Sequence, residues 1–276
     1  MVRLPGSGFV SREPERLTSR VRRASCDLRT EGTGADDPAF AALIQCVSDR
    51  YVATSLTAWG FARGKLRGDP VYRNALCGGF FPSGRTLMDV GCGQGLMLAL
   101  LAEARRQGES GALPMGRSSF PQFDRLIGVE KRPRIARLAR KALGPDVDIL
   151  EQDARSIATG SYSVVLFFDV LHLMSTDDQE AIVRAMATAL EPGGVILVRD
   201  ADASAGWRFA AVRTVNRLKA FFSGAWRQEF HFRTTLEWIE CFARLGLDAD
   251  ARPMGDGTPF ANVLFRLTVR KDASLS

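Results

Sequence analysis

The sequence predicts an α/β fold built on a mostly parallel sheet, and three observations predict it. Residues 85–101 read as a buried strand, a tight glycine turn and a buried helix. Residues 162–168 form a nearly unbroken apolar run, as expected of a central parallel strand covered on both faces. Around these two segments, short β-like runs alternate with stretches that repeat apolar residues at helical spacing.

In chain order, residues 1–34 carry many Arg, Ser and Gly residues with little apolar periodicity, which predicts a flexible arm over 1–35. An Arg-rich arm could touch nucleic acid or a membrane, but Glu13, Glu15, Asp27 and Glu31 interrupt its charge. Asp36-Asp37-Pro38 marks a helix start, with proline in the first turn. Phe40, Leu43, Ile44, Val47 and Tyr51 continue it, and the pattern extends to about Ala58, with Gly60 near its end. Asp69-Pro70 opens a second short helix that Gly78-Gly79 stops. Together, residues 36–82 form a helical unit ahead of the first strand.

The central stretch carries the chemistry. Gly91, Gly93 and Gly95 let a ligand approach the backbone closely. A dinucleotide fingerprint would space its third glycine further on, where Leu96 stands. Asp89, two residues before the first glycine, would repel a pyrophosphate and suit a cationic ligand. Leu-Met-Asp-Val-Gly-Cys-Gly-Gln-Gly resembles motif I of class I S-adenosylmethionine-dependent methyltransferases. That resemblance implies a Rossmann-like fold with a seven-stranded, mostly parallel sheet, a C-terminal reversed hairpin and an N-terminal helical cover.

Downstream elements extend the match. Residues 108–122 are a Gly-, Ser- and Pro-rich excursion. Residues 123–130 read as the second strand, ending on Glu130, the position of the family's ribose-binding acid. Pro133 opens a helix with Ile135, Leu138, Ala139 and Ala142 on its apolar face and basic residues outside. Residues 147–150 form the third strand. Asp153, just beyond it, matches the family's adenine-contacting acid, or is simply a turn residue. The fourth strand delivers Asp169-Val170-Leu171-His172, which resembles motif IV of small-molecule methyltransferases rather than the Asn/Asp-Pro-Pro-Tyr signature of amino methyltransferases. Thr176-x-x-Gln179 reads as a capping box. Pro192-Gly193-Gly194 then turns the chain into a fifth strand over 195–198.

Residues 199–231 read as an insertion, helical at about 200–231, in which Trp207, Ala211, Val215, Leu218 and Phe222 recur at helical spacing. It forms an acceptor pocket, an amphipathic helix packed on the core, or a weak peripheral membrane contact. Thr234-x-x-Glu237 is a second capping box. Residues 248–253 and 262–269 are the closing hairpin, so residues 83–276 make the S-adenosylmethionine-binding domain.

The resemblance carries cofactor contacts onto Asp89, Gly91, Cys92, Gly93, Gly95, Glu130, Lys131, Asp153, Ala154, Asp169 and Val170, for S-adenosyl-L-methionine as donor and S-adenosyl-L-homocysteine as product. Only two histidines exist. His172 is placed to act as a general base, or to pack and orient the cofactor. His231, between Phe230 and Phe232, lines the acceptor pocket or is structural. Tyr51, Trp59, Trp207 and Trp226 are the candidate acceptor-pocket aromatics.

Five cysteines without a Cys-x-x-Cys pair indicate neither disulfides nor a metal site and point to a reducing, cytoplasmic setting. No apolar run is long enough to be a transmembrane segment. The expected activity is methyl transfer to a small aromatic, phenolic or polyene acyl compound. More broadly, the chain resembles methyltransferases found with bacterial aryl-polyene pigment pathways. The net charge of +6 fits an anionic acceptor or an acidic acyl carrier protein. The same charge is all that supports an RNA methyltransferase, and nucleic acid is not the expected partner. A non-catalytic S-adenosylmethionine-binding protein is the alternative from another class.

Overall fold

A computed structural model describes residues 38–80, 82–109, 120–157, 160–210, 212–214, 228–255 and 257–270. The predicted arm, Ala211 and the part of the insertion from Val215 through Trp226 lie outside the described residues. Residues 36–276 form one unit, so the cover helices share a core with the sheet.

The first helix, α1 (Pro38–Arg50), buries Phe40, Leu43, Ile44 and Val47. It does not run on to Ala58. The chain turns after Tyr51, whose carbonyl accepts from the amides of Thr54 and Ser55. The Ser55 hydroxyl accepts from the Ala58 amide at 3.1 Å and starts α2 (Leu56–Gly68). Gly60 therefore sits inside α2 rather than at a helix end. Helix α3 (Pro70–Cys77) lies where the sequence places it, capped by Asp69 and ended at Gly78.

The sheet follows as β1 (Gly84–Val90), β2 (Phe123–Val129), β3 (Asp148–Leu150), β4 (Tyr162–Phe168), β5 (Leu190–Ala201), β6 (Leu247–Pro253) and β7 (Asn262–Val269). Its order is β3-β2-β1-β4-β5-β7-β6, with β7 antiparallel to both β5 and β6 and the other pairings parallel. The seven strands and closing hairpin are those the family resemblance implies.

Alternation along the strands sorts the core into two layers. Leu87, Val164, Leu166, Val195 and Leu197 face α1–α3, α4 (Leu96–Glu109) and α5 (Pro133–Leu143). Met88, Val90, Val165, Phe167, Ile196 and Val198 face α6 (Thr176–Thr188) and α7 (Thr235–Arg244).

Two local expectations need correction. Helix α6 is capped by Ser175, which accepts from the Asp178 amide at 3.2 Å, so Thr176 is already helical. Gln179 is fully buried instead and donates to the carbonyls of Leu171 and His231. Strand β5 is longer than 195–198 at both ends. Pro192-Gly193-Gly194 lies within it, at a shift of register between the Tyr162–Leu190 and Val164–Val195 pairs. The capping box at Thr234 and Glu237 forms as expected. Among the described residues, no helix is long and apolar enough to cross a membrane.

Candidate functional site

Strands β1 and β4 are neighbours at the point where the order of the parallel strands reverses, and in such sheets ligands bind beyond the carboxyl ends of the strands. Asp89 ends up there because it is the penultimate residue of β1, paired with Gly128 on one side and Leu166 on the other. Its carboxylate is 5 % exposed and has no salt-bridge or hydrogen-bond partner among the described residues. Burial, and then the nearby Glu130 charge, push its pKa up to about 7.

The loop after β1 is held by its own backbone. Gly91 and Cys92 donate to the Val129 carbonyl at 2.8 and 3.0 Å. Gly91 has φ +74°, and a Cβ there would stand 2.4 Å from Val170. Gly93 also has positive φ, but a Cβ there would meet nothing within 4 Å. One glycine thus packs the loop onto the end of β4, and the other leaves open space above it. The Tyr51 hydroxyl donates to the Gln94 carbonyl at 2.8 Å and ties the loop to the cover.

A cavity of about 50 Å3 opens here, lined by Asp89, Gly91, Tyr72, Phe168, Asp169 and Arg199 among others. Arg199, 3 % exposed near the end of β5, anchors the arrangement. Its Nε donates to Asp169 Oδ1 at 2.8 Å and its Nη2 to the other oxygen, while Nη1 donates to Asp69 Oδ1 at 2.6 Å. Lys65 completes the network, 2.6 Å from Asp69 and 3.9 Å from Asp169. Burial works upward on Asp169, but Arg199 and Lys65 outweigh it and hold the carboxyl down to about 2. Asp169 also adopts φ +57°, uncommon for a residue with a side chain. The network joins the cover (Lys65, Asp69) to the ends of β4 and β5.

Glu130 lies immediately after β2, buried, and accepts from Arg132 three times: from its amide at 2.8 Å, its Nε at 2.9 Å and its Nη2 at 2.8 Å. Burial is outweighed by those bonds, and the carboxyl stays below its ordinary range. Lys131 points outward. Asp153 caps the short turn Ala154–Ser156 and accepts from the Arg155 amide and side chain, which lowers it to about 2. Glu130 directly follows β2, and Asp153 stands in the turn beyond β3.

His172 follows β4 in the turn Leu171–Leu173. It is buried, stacked on Phe232 at 4.5 Å, and its Nδ1 lies 2.8 Å from Asp200 Oδ1. An ionised carboxylate only accepts, so Nδ1 carries the proton and Nε2 is the basic nitrogen. Burial would lower the imidazole pKa, but Asp200 outweighs it and the net shift is upward. Asp200 Oδ2 is buried without a partner among the described residues.

Of the other candidates, His231, Tyr51, Trp59 and Trp207 do not line the cavity. The His231 amide donates to the His172 carbonyl at 2.8 Å, while its ring turns to Glu229 at 3.6 Å; its backbone, not its imidazole, supports His172. Tyr51 is a core residue. Trp59 packs under Arg63 and donates to Asp49. Trp207 is 73 % exposed, so it is not part of a buried stripe, and Trp226 lies outside the described residues. Sequence reasoning missed Asp69, Arg199, Asp200 and Arg132. An Arg-Asp pair closing the apolar run of β5 was the available signal for two of them.

A family model described as "Methyltransferase domain" matches residues 59–251. Among curated proteins, the carboxy-S-adenosyl-L-methionine synthase of Chromohalobacter salexigens is 30% identical over 122 residues, which is 42% of this chain and 40% of that protein. The dTDP-3-amino-3,4,6-trideoxy-alpha-D-glucopyranose N,N-dimethyltransferase of Streptomyces venezuelae is 30% identical over 168 residues, 55% of this chain and 62% of the relative. The matches therefore span about half the length of these relatives. Among solved structures, the mitomycin 7-O-methyltransferase MmcR superposes with TM-score 0.54 at 22% identity, covering 92% of this chain and 66% of that one. PigF with SAH gives TM-score 0.53 at 20% identity, covering 92% and 69%. The family model spans more than half of the sequence, and the chain belongs to the methyltransferase-domain family with a class I S-adenosylmethionine-dependent methyltransferase fold.

Proposed function

We propose that this chain transfers the methyl group of S-adenosyl-L-methionine to a small-molecule acceptor. The observation that carries the donor assignment is Asp89: a buried carboxylate without a counter-charge among the described residues, lining the cavity with Gly91. A buried charge needs a partner, and the ammonium of S-adenosyl-L-methionine supplies one. Glu130 is the ribose acid in this scheme, and Asp153 with Ala154 borders the adenine.

On the acceptor side, His172 is the general base. Asp200 fixes its tautomer and stabilises the imidazolium that forms when it takes a proton. That chemistry suits an acceptor with an acidic hydroxyl, a phenol above all, which must lose its proton as the carbon–oxygen bond forms. The printed activities of similar proteins support a small acceptor: an O-methyltransferase of mitomycin and an N,N-dimethyltransferase of an amino sugar. Trp207 and Arg213, each exposed after β5, would meet an anionic or carrier-bound acceptor.

The test is turnover of a phenolic acceptor panel with methyl-labelled donor. Label transferred to oxygen, at a rate that rises with pH as His172 loses its proton, supports the assignment. Transfer to carbon, or a rate independent of His172, removes the base role.

A further inference from the structure

The cover contributes a polar atom to the cavity that the mechanism above does not use. Tyr72 sits one turn inside α3, after the Asp69 cap and next to Val71, and both side chains line the cavity with Asp89, Gly91 and Asp169. Its hydroxyl makes no hydrogen bond to any described residue. Three carboxylates act on it: Asp69, Asp169 and Asp89. Burial and then these charges hold the phenol well above its ordinary range, so it remains a neutral dipole. Asp69 and Asp169 are neutralised by Arg199 and Lys65, whereas Asp89 has no cation beside it among the described residues. A phenol held by ion-paired helix ends against an uncompensated acid is suited to a cationic ligand.

We propose that Tyr72 is a donor-site residue whose hydroxyl oxygen and ring contact the cationic sulfonium of the methyl donor, making the cover part of the cofactor site. The proposal deepens the function above and rests on it. It also has a built-in discriminator. In methyl transfer the acceptor–carbon bond forms, the carbon–sulfur bond breaks with its electron pair going to sulfur, and the product is a neutral thioether. A group that recognises the sulfonium therefore separates S-adenosylmethionine from S-adenosylhomocysteine.

The experiment is calorimetric titration of the full chain with both ligands, using wild type, Tyr72→Phe, Tyr72→Leu and the control Trp59→Phe. Tyr72→Phe should weaken S-adenosylmethionine about two- to fivefold, the scale of a weak C–H···O contact. Tyr72→Leu, which also loses the ring, should weaken it about tenfold. S-adenosylhomocysteine and the control should change by less than about twofold, within the spread of non-contact substitutions. Equal losses for both ligands, or no loss, overturn the proposal and leave the cofactor assignment standing. Wild type that binds neither ligand overturns both. Fluorotyrosine NMR provides a readout that needs no Tyr72 variant, because the chain has three tyrosines. With Tyr51→Phe and Tyr162→Phe assigning the other two, the remaining signal should shift more with S-adenosylmethionine than with S-adenosylhomocysteine, and equal shifts contradict the proposal.

Discussion

The donor half of the site and its helical roof are built by different physics. The proposed donor half consists of strand ends and a glycine loop: Asp89, Gly91 and Glu130 are placed by the β1–β2 register and by amides donating to the Val129 carbonyl. The roof is packed on the sheet by apolar side chains and pinned at the site by charge. Asp69 on the cover and Arg199 on β5 are 130 residues apart in sequence and 2.6 Å apart in space. The two meet through the ion pairs that shield Asp69 and Asp169 and through the Tyr51 hydroxyl that holds the glycine loop. Among the described residues, Asp89 is left without a counter-charge in the cavity, and there the proposed function places the ammonium of the donor.

The largest effect expected is on chemistry. His172→Gln should lower turnover by about 10²–10⁴-fold, the range for loss of a general base. S-adenosylhomocysteine binding should be unchanged, because His172 packs against Phe232 and Asp200 rather than Asp89. Rate and affinity measured on one preparation separate the two halves of the site.

Arg199→Ala comes next, on stability. It leaves Asp69 and Asp169 with Lys65 in place of two cations, and loss of one partner from a buried pair costs about 3–5 kcal/mol. Denaturant unfolding checks this. A loss below about 1 kcal/mol, typical of an exposed pair, would mean that the network does not hold the roof.

Asp89→Asn should weaken S-adenosylmethionine about tenfold or more, the scale of a charged hydrogen bond. The pH dependence sharpens the assignment. The Asp89 carboxyl, raised to about 7, must be ionised to pair with an ammonium, so binding releases a proton. Affinity in the wild type should therefore rise about tenfold from pH 6 to pH 8, and Asp89→Asn should flatten that slope. The sign for stability without ligand is opposite: ionising a carboxyl whose folded pKa is raised costs stability as pH climbs from the unfolded value toward 7.

Smallest of all should be Trp207→Ala. With 73 % of the residue exposed, its melting temperature should stay near that of wild type, within the roughly 0.5 kcal/mol of ordinary surface substitutions. An altered KM for an anionic acceptor, with stability unchanged, would mark it as an acceptor contact.

The same contrast explains what the sequence reveals. Strand, glycine turn and following acid are local, so Asp89, the glycine loop and Glu130 can be recognised from neighbouring residues. The apolar run of β4 announces a central strand, and Asp169 and His172 fall at its end. The roof's contacts are not local. Nothing near Asp69 distinguishes a helix cap from a cap that also pairs with Arg199, and Arg199 reads as the start of an insertion because a charge inside a buried strand is costly without a distant partner. The end of α1 was misplaced for a related reason. Tyr51 continues the apolar periodicity, but the chain turns there, and its hydroxyl is used to hold the Gln94 carbonyl.

Calorimetric titration of the wild-type chain and Asp89→Asn with S-adenosylmethionine, with NADH as the control ligand, is the measurement to make first. The structure predicts micromolar binding by the wild type, weakened in Asp89→Asn, and no heat with NADH. No S-adenosylmethionine binding, or NADH binding in its place, would contradict a cation site at Asp89 and the donor assignment built on it.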